Sequence, residues 1–203
     1  MFLRSGRANV EIGTERLILR PPQQRDFVPW ARLRRESREF LVPWEPRWSK
    51  DHLSARSFRN RVAWAERVIR QEEALPLFLI RHEGEAPSGE ELIGGITLSN
   101  IRRQPSNAAT LGYWIGEAHA RKGYMTEALM ALVDHAFGAM ELSRIEAACL
   151  PENTASRKLL ERCHFHYEGE AQAYLQINGR WRNHVLYAAL REDRQEGAED
   201  LSL

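Results

Sequence analysis

Residues 109–137, "ATLGYWIGEAHARKGYMTEALMALVDHAF", set the fold. The first eight read as a strand that ends at Gly116. From Met125 onward, Met125, Leu129, Leu132, Val133, Ala136, Phe137 and then Met140 recur at the spacing of an amphipathic helix. "RIEAACL", residues 144–150, is the next strand, so the stretch opens a β-α-β unit of the length a parallel crossover needs. Between strand and helix lies "ARKG", residues 120–123, a pair of cations and a glycine. N–H groups at a helix start favour an anion, Gly123 lets backbone approach a ligand, and Arg121 and Lys122 could reach a pyrophosphate. A glycine there also suits a plain strand-to-helix turn, and these residues alone leave both readings open. Neither GxxxxGK[ST] nor GxGxxG occurs, so no P-loop or dinucleotide fingerprint is present.

Working outward, "PENTASRKLLERC" (151–163) predicts a second helix, with Asn153 as N-cap and Ala155, Leu159, Leu160 and Cys163 on its buried side. Because the two strands run parallel, both helix N-termini fall at the same end, where one ligand could span them. Toward the N-terminus, "TERLILRPP" is a first strand through Leu17 and Leu19, and Asp26 caps one helix through "FVPWARLRRESREFL" (27–41). A Pro- and Trp-rich loop, "VPWEPRWSKD", leads to a helix with Phe58, Val62, Ala65, Val68 and Ile69 on one face; its arginines read as a solvated face. "LPLFLIRH" and "LIGGITLSNI" are strands joined by a hairpin connection, "EGEAPSGEE" (83–91). "FHYEGEAQAYLQI" and "RWRNHVLYAAL" form a hairpin around Asn178-Gly179. One domain is expected over residues 1–192, with a polar, flexible tail over 193–203.

The chain has 203 residues, 43% hydrophobic, and 29 basic against 28 acidic residues give a formal charge of +1. That size suits one core, and the balance does not advertise nucleic-acid or membrane binding. No run of apolar residues approaches membrane-helix length and "MFLRSGRANVEIG" lacks a secretory core, so a cytoplasmic location is expected. Cys149 and Cys163 are the only cysteines, which suits a reducing compartment. Cys163, His164 and His166 crowd together but lack a fourth ligand, so no metal is expected. No G-x-S-x-G elbow occurs, and Cys149 reads as a buried, inert thiol.

On the element order and on "TERLILR", "FLVPWEP", "ARKGYMTEAL", "NTASRKLLE" and "YLQINGRWRNHVLYA", the chain resembles the GNAT superfamily of acetyl-CoA-dependent N-acetyltransferases over about residues 10–190. The resemblance is to the Rim-type enzymes that acetylate N-terminal amines of ribosomal proteins, and "PWEP" (43–46) points to their RimJ-like, alanine-modifying branch. The family's Q/R-x-x-G-x-G/A turn falls on residues 120–125, with Ala120 in place of the polar first residue and Met125 in place of the small last one. His164 stands where the family has a glycine before Phe165.

The resemblance implies an α+β fold: a mostly antiparallel mixed sheet of six to seven strands with a central, splayed parallel pair flanked by helices. It implies acetyl-CoA as donor, bound by Tyr113, Trp114, Ile115, Gly116, Arg121, Lys122, Gly123, Tyr124, Met125, Thr126, Asn153, Ser156 and Lys158; Arg157 and Lys158 read equally as phosphate helpers or as solvent-facing cations. Free N–H groups near Trp114, Ile115 and Gly116 would polarise the thioester carbonyl, and Ser156 would protonate the leaving sulfur. Asn153 and Ser156 also read as cap and first-turn residues, which is compatible. Trp44, Glu45 and Tyr174 are the candidate substrate contacts, Glu45 doubling as candidate base, with Glu146 as the alternative base and a salt bridge as its plain reading. The partner implied is the N-terminus of a ribosomal protein, free or on the ribosome or its assembly intermediates, approached by a monomer or homodimer. Two other readings stay open: a GNAT acting on a small free amine, and a non-catalytic acyl-CoA-binding module.

Overall fold

The computed structural model describes residues 10–82 and 89–193. The expected tail beyond Asp193, the first nine residues and most of the 83–91 connection lie outside the described residues.

Eight strands form one sheet in the order β1-β2-β3-β4-β5-β6-β8-β7. They are β1 (Ile12–Gly13), β2 (Leu17–Arg20), β3 (Leu75–Arg81), β4 (Glu91–Arg102), β5 (Ala108–Ile115), β6 (Arg144–Cys149), β7 (His166–Ile177) and β8 (Arg180–Leu190). Only β5 and β6 pair in parallel; every other neighbour is antiparallel. The strand beyond the expected six to seven is β1, whose two residues are too short to show a period.

Side-chain alternation sends β3 to both faces of the sheet. Leu77 and Leu79 join a core with Leu129, Leu132 and Ala136 of α4 (Tyr124–Phe137). Phe78 and Ile80 face the other way, against Trp30 of α1 (Phe27–Glu36) and Phe58 and Val62 of α3 (Ala55–Arg70). All five apolar positions expected on α3 are buried.

The single helix expected over 27–41 is broken at Ser37, and α2 (Arg38–Leu41) follows. Ser37 leaves helical geometry (φ −98°, ψ 15°), and its hydroxyl accepts the Glu117 N–H at 3.0 Å, pinning α1 to the segment after β5. In α5 (Thr154–Arg162) Leu160 and Cys163 are buried and Leu159 is half-buried, but Ala155, expected inside, is exposed in the first turn. In that turn it is Ser156 that meets β5, and Ala155 beside it faces solvent.

His164 keeps the turn the family builds with glycine. It sits at φ +62°, its N–H donates to the Glu161 carbonyl (3.2 Å), and the Phe165 N–H donates to the Leu160 carbonyl (3.0 Å). This is a Schellman ending with an L side chain in the left-handed position. Asn178 and Gly179 make the β7–β8 turn with φ +47° and +80°, both positive as the predicted tight hairpin requires.

Candidate active site

The β5–β6 pairing runs from Ala108 opposite Arg144 to Leu111 opposite Ala147 and stops, although β5 continues to Ile115 and β6 to Cys149. The pair is therefore splayed at its C-terminal end. Beyond Leu111, β5 is held from the other side, with Tyr113, Trp114 and Ile115 opposite Ile96, Gly95 and Gly94 of β4. The Gly116 N–H, expected to be free, donates to the Ile93 carbonyl at 2.9 Å. Period-two alternation then turns the Trp114 N–H toward β4 as well, and aims those of Tyr113 and Ile115 into the opening. Of the three expected donors, Trp114 and Gly116 face β4 and Ile115 faces the opening, joined there by Tyr113.

Two hydroxyls meet across the opening: Tyr113 Oη and Ser156 Oγ are 2.6 Å apart, joining β5 to the first turn of α5. Burial pushes the Tyr113 phenol well up from its ordinary value, so it stays protonated at any physiological pH. The Ser156 N–H donates to Asn153 Oδ1 (3.0 Å), so Asn153 is the N-cap and keeps its Nδ2 for another partner. Burial also raises the Cys149 thiol, which fits an inert cysteine.

After Gly116 a 3-10 turn, Glu117–His119, leads to the basic turn, where Arg121 (φ +61°) and Gly123 (φ +84°) are both left-handed. The first bond of α4 is Glu127 N–H to Gly123 carbonyl, and no acceptor among the described residues faces the N–H groups of residues 121–126. Such a row of unspent donors at a helix start fits an anion. Arg121, Lys122 and Lys158 are exposed and Thr126 is half-buried. Tyr124 and Met125 are buried in the core below α4, so only their backbone can serve a ligand. Arg157 points away, to the Tyr187 hydroxyl (3.2 Å) and the Pro151 carbonyl (3.4 Å), and does not join the phosphate side.

A buttress unseen in the sequence holds this turn from below. Arg16 donates through Nε to Glu127 Oε2 (2.7 Å) and through Nη1 to the Lys122 carbonyl (3.2 Å), while Thr14 donates to Glu127 Oε1 (2.6 Å). Burial works against the Glu127 carboxylate, but its bonds from Thr14 and Arg16 outweigh that and hold it below its ordinary value.

The expected bases are both engaged. Glu45 receives Arg34 on both oxygens (2.7 and 2.5 Å) and the Trp48 indole N–H on Oε2 (2.8 Å), so three of its roughly four acceptor positions are filled and it is held as the anion of an ion pair. Glu146 pairs with Arg102 and Arg144 and lies opposite Thr110, in the closed part of the strand pair away from the opening. Its plain reading as a salt bridge is the observed one. Trp44 is exposed at the end of a 3-10 turn, Val42–Trp44, and Tyr174 is exposed on edge strand β7, edge-on to His184 at 5.7 Å. Arg34 was missed; the available signal was its place four residues after Trp30, on the apolar stripe of α1. Among the described residues no group of three His, Cys, Asp or Glu could hold a metal, and no helix is long and apolar enough to cross a membrane.

Comparison with known proteins agrees with this geometry. Residues 16–166 match the family model described as an acetyltransferase (GNAT) domain. The chain is 35% identical to the "[Ribosomal protein uS5]-alanine N-acetyltransferase" of Escherichia coli (strain K12), over 96% of this chain and 97% of that protein. Among solved structures it superposes on Mycobacterium smegmatis RimJ in complex with CoA-disulfide (TM-score 0.82, 32% identity, 91% of this chain and 88% of that one). It also superposes on the ribosomal-protein-S5-alanine acetyltransferase of Vibrio fischeri (TM-score 0.81, 30% identity, 91% and 98%).

Proposed function

Because this chain belongs to the GNAT acetyltransferase family, we propose that it transfers acetyl from acetyl-CoA to the N-terminal α-amine, alanine or serine, of a ribosomal protein. The observation that carries the acetyl half is the Tyr113–Ser156 hydroxyl pair, set across a splayed strand pair beside an N–H-lined turn. The acceptor half rests on the end-to-end match to the uS5-alanine enzyme.

The roles follow from position. The turn at residues 121–126 cradles pyrophosphate through backbone, with Arg121 and Lys122 as helpers and Lys158 nearby on α5. Asn153 Nδ2 holds the pantetheine arm. The N–H groups of Tyr113 and Ile115 polarise the thioester carbonyl, and the acceptor amine attacks directly, positioned rather than covalently relayed. An α-ammonium has a reference pKa of about 8, so losing its proton to water is a small demand near neutrality and needs no dedicated carboxylate. Ser156, backed by the protonated Tyr113, delivers the proton to the leaving sulfur. Trp44 and Tyr174 line the approach of the acceptor chain, which belongs to the free ribosomal protein or to one in an assembling subunit.

The test mixes the protein with acetyl-CoA and a panel of peptides beginning with Ala or Ser, alongside polyamines, amino acids and an aminoglycoside, and reads thiol release. Release with the peptides is expected. Release only with the small amines would overturn the acceptor assignment, and CoA binding without any release would overturn the catalytic one.

A further inference from the structure

Outside the donor machinery, Arg34 lies buried in a cluster of polar and aromatic side chains, its Nη atoms bonded and its Nε without a partner among the described residues. Only 6% of its side chain is exposed, and it makes a two-pronged bond to Glu45 at 2.7 and 2.5 Å. Its guanidinium carbon lies over two indole rings, 4.5 Å from the centre of Trp48 and 4.7 Å from that of Trp114. His52 stacks on Trp48 (4.5 Å) and lies 3.2 Å from Arg34 Nη2. Burial, and then Arg34 itself, push the His52 imidazole down to about 4, so it is neutral at pH 7. Beside the Arg34–Glu45 pair stand two further cations, Arg38 over the Trp48 ring and Arg61 over the Trp30 ring.

A buried ion pair is an expensive way to gain stability, since desolvation offsets most of its attraction. What this one gains is fixed geometry, because it ties segments far apart in sequence to the end of β5. Trp114 lies between Arg34 and Gly95, where a side chain would bring Cβ to 2.6 Å from the indole nitrogen. One residue earlier on α1, Leu33 sits so close to Gly116 that a Cβ there would meet it at 2.4 Å. Three residues later Ser37 takes the Glu117 N–H. The loop carrying Glu45 is joined in turn to the β7–β8 hairpin, whose Asn178 N–H donates to the Glu45 carbonyl at 2.9 Å. Thus the Arg34 guanidinium joins α1 to the PWEP loop and to the end of β5, and the backbone of Glu45 carries the link on to the hairpin turn.

From this juxtaposition we propose that Arg34 is a positioning residue for the acceptor. Its clamp on Trp114 and Glu45 fixes the wall against which the incoming N-terminus is aligned with the Tyr113 and Ile115 N–H groups. It touches no reacting atom and acts through Trp114 and Glu45. The proposal rests on the acetyl-transfer reading above, and wild-type turnover with an Ala-starting peptide establishes that reading separately.

The test is two-substrate kinetics on Arg34→Lys and on the double variant Arg34→Met/Glu45→Leu, each with calorimetric titration of CoA and a melting curve. Lysine keeps the charge but lacks the fork and the stacking face, so it should not rescue. The double variant removes the Arg34–Glu45 pair at similar volume, a replacement that is often neutral or stabilising, and leaves Arg38 and Arg61 beside it, so the melting curve checks that it folds. Expected in both is a fall on the order of 100-fold in kcat/KM for the peptide, carried mainly by peptide KM, with CoA affinity within about twofold of wild type. Wild-type peptide KM in the double variant would overturn the proposal. So would a loss of CoA affinity as large as the loss in peptide kinetics, which is what a merely structural role would give.

Discussion

The two sides of the opening are built on opposite plans. The turn at residues 120–126 offers backbone: two left-handed residues, a row of unspent N–H groups and side chains that either face solvent or sink into the core. The Arg34 side offers side chains: a fork, two indoles, a carboxylate and an imidazole in mutual contact. A backbone site depends on conformation and tolerates changes of residue type, so a turn of this kind would accommodate Ala120 and Met125 at the two positions that depart from the family pattern. A side-chain site depends on identity, so small changes there alter what it accepts. Donor binding and acceptor binding should therefore break under different substitutions.

The largest separation is expected from Gly123→Val. A β-branched residue at φ +84° is strained, and its Cβ would come within 3.3 Å of Arg16 Nη2, itself tied to Glu127. Calorimetry should show CoA affinity lower by about 100-fold, roughly the 3 kcal/mol of such strain, while the melting of the fold changes less. Next is Ser156→Ala, with kcat lower by about 30-fold and CoA affinity nearly normal, the neighbouring phenol taking part of the load. A rate equal to wild type would remove Ser156 from the chemistry. Arg121→Ala comes third: exposed and lending only charge, it should weaken CoA binding about threefold at low salt, and the difference should vanish at high salt. Smallest, and outside both sites, His164→Gly relieves a left-handed L residue at φ +62° and should stabilise by about 1 kcal/mol, a rise of ~2–4 °C in Tm, without changing either substrate's affinity.

The same contrast explains what could be read from residues alone. Periodicity marks elements, so α3 and α4, the β5-α4-β6 unit and the Asn178-Gly179 turn were legible, as was the common end of α4 and α5. Ser37 broke a helix because its hydroxyl bonds a residue eighty positions away, which no local pattern encodes. Glu45 was legible as a candidate but not as occupied, since its partner Arg34 is a charged residue on a buried stripe and such residues are read as solvated by default. The Arg16–Glu127 buttress was hidden for the same reason: it joins a strand end to a helix start 111 residues on. Which N–H groups face the opening turned on a single register, fixed by the Gly116 bond to Ile93.

The most direct test of the two plans is one set of calorimetric CoA titrations, run side by side on the wild type, Gly123→Val and the Arg34→Met/Glu45→Leu variant. If the donor is held by the backbone turn and the acceptor by the side-chain clamp, the valine variant loses CoA affinity by about 100-fold and the clamp variant binds as the wild type does. A valine variant with unchanged CoA affinity, or a clamp variant that loses as much as the valine variant, would contradict the account.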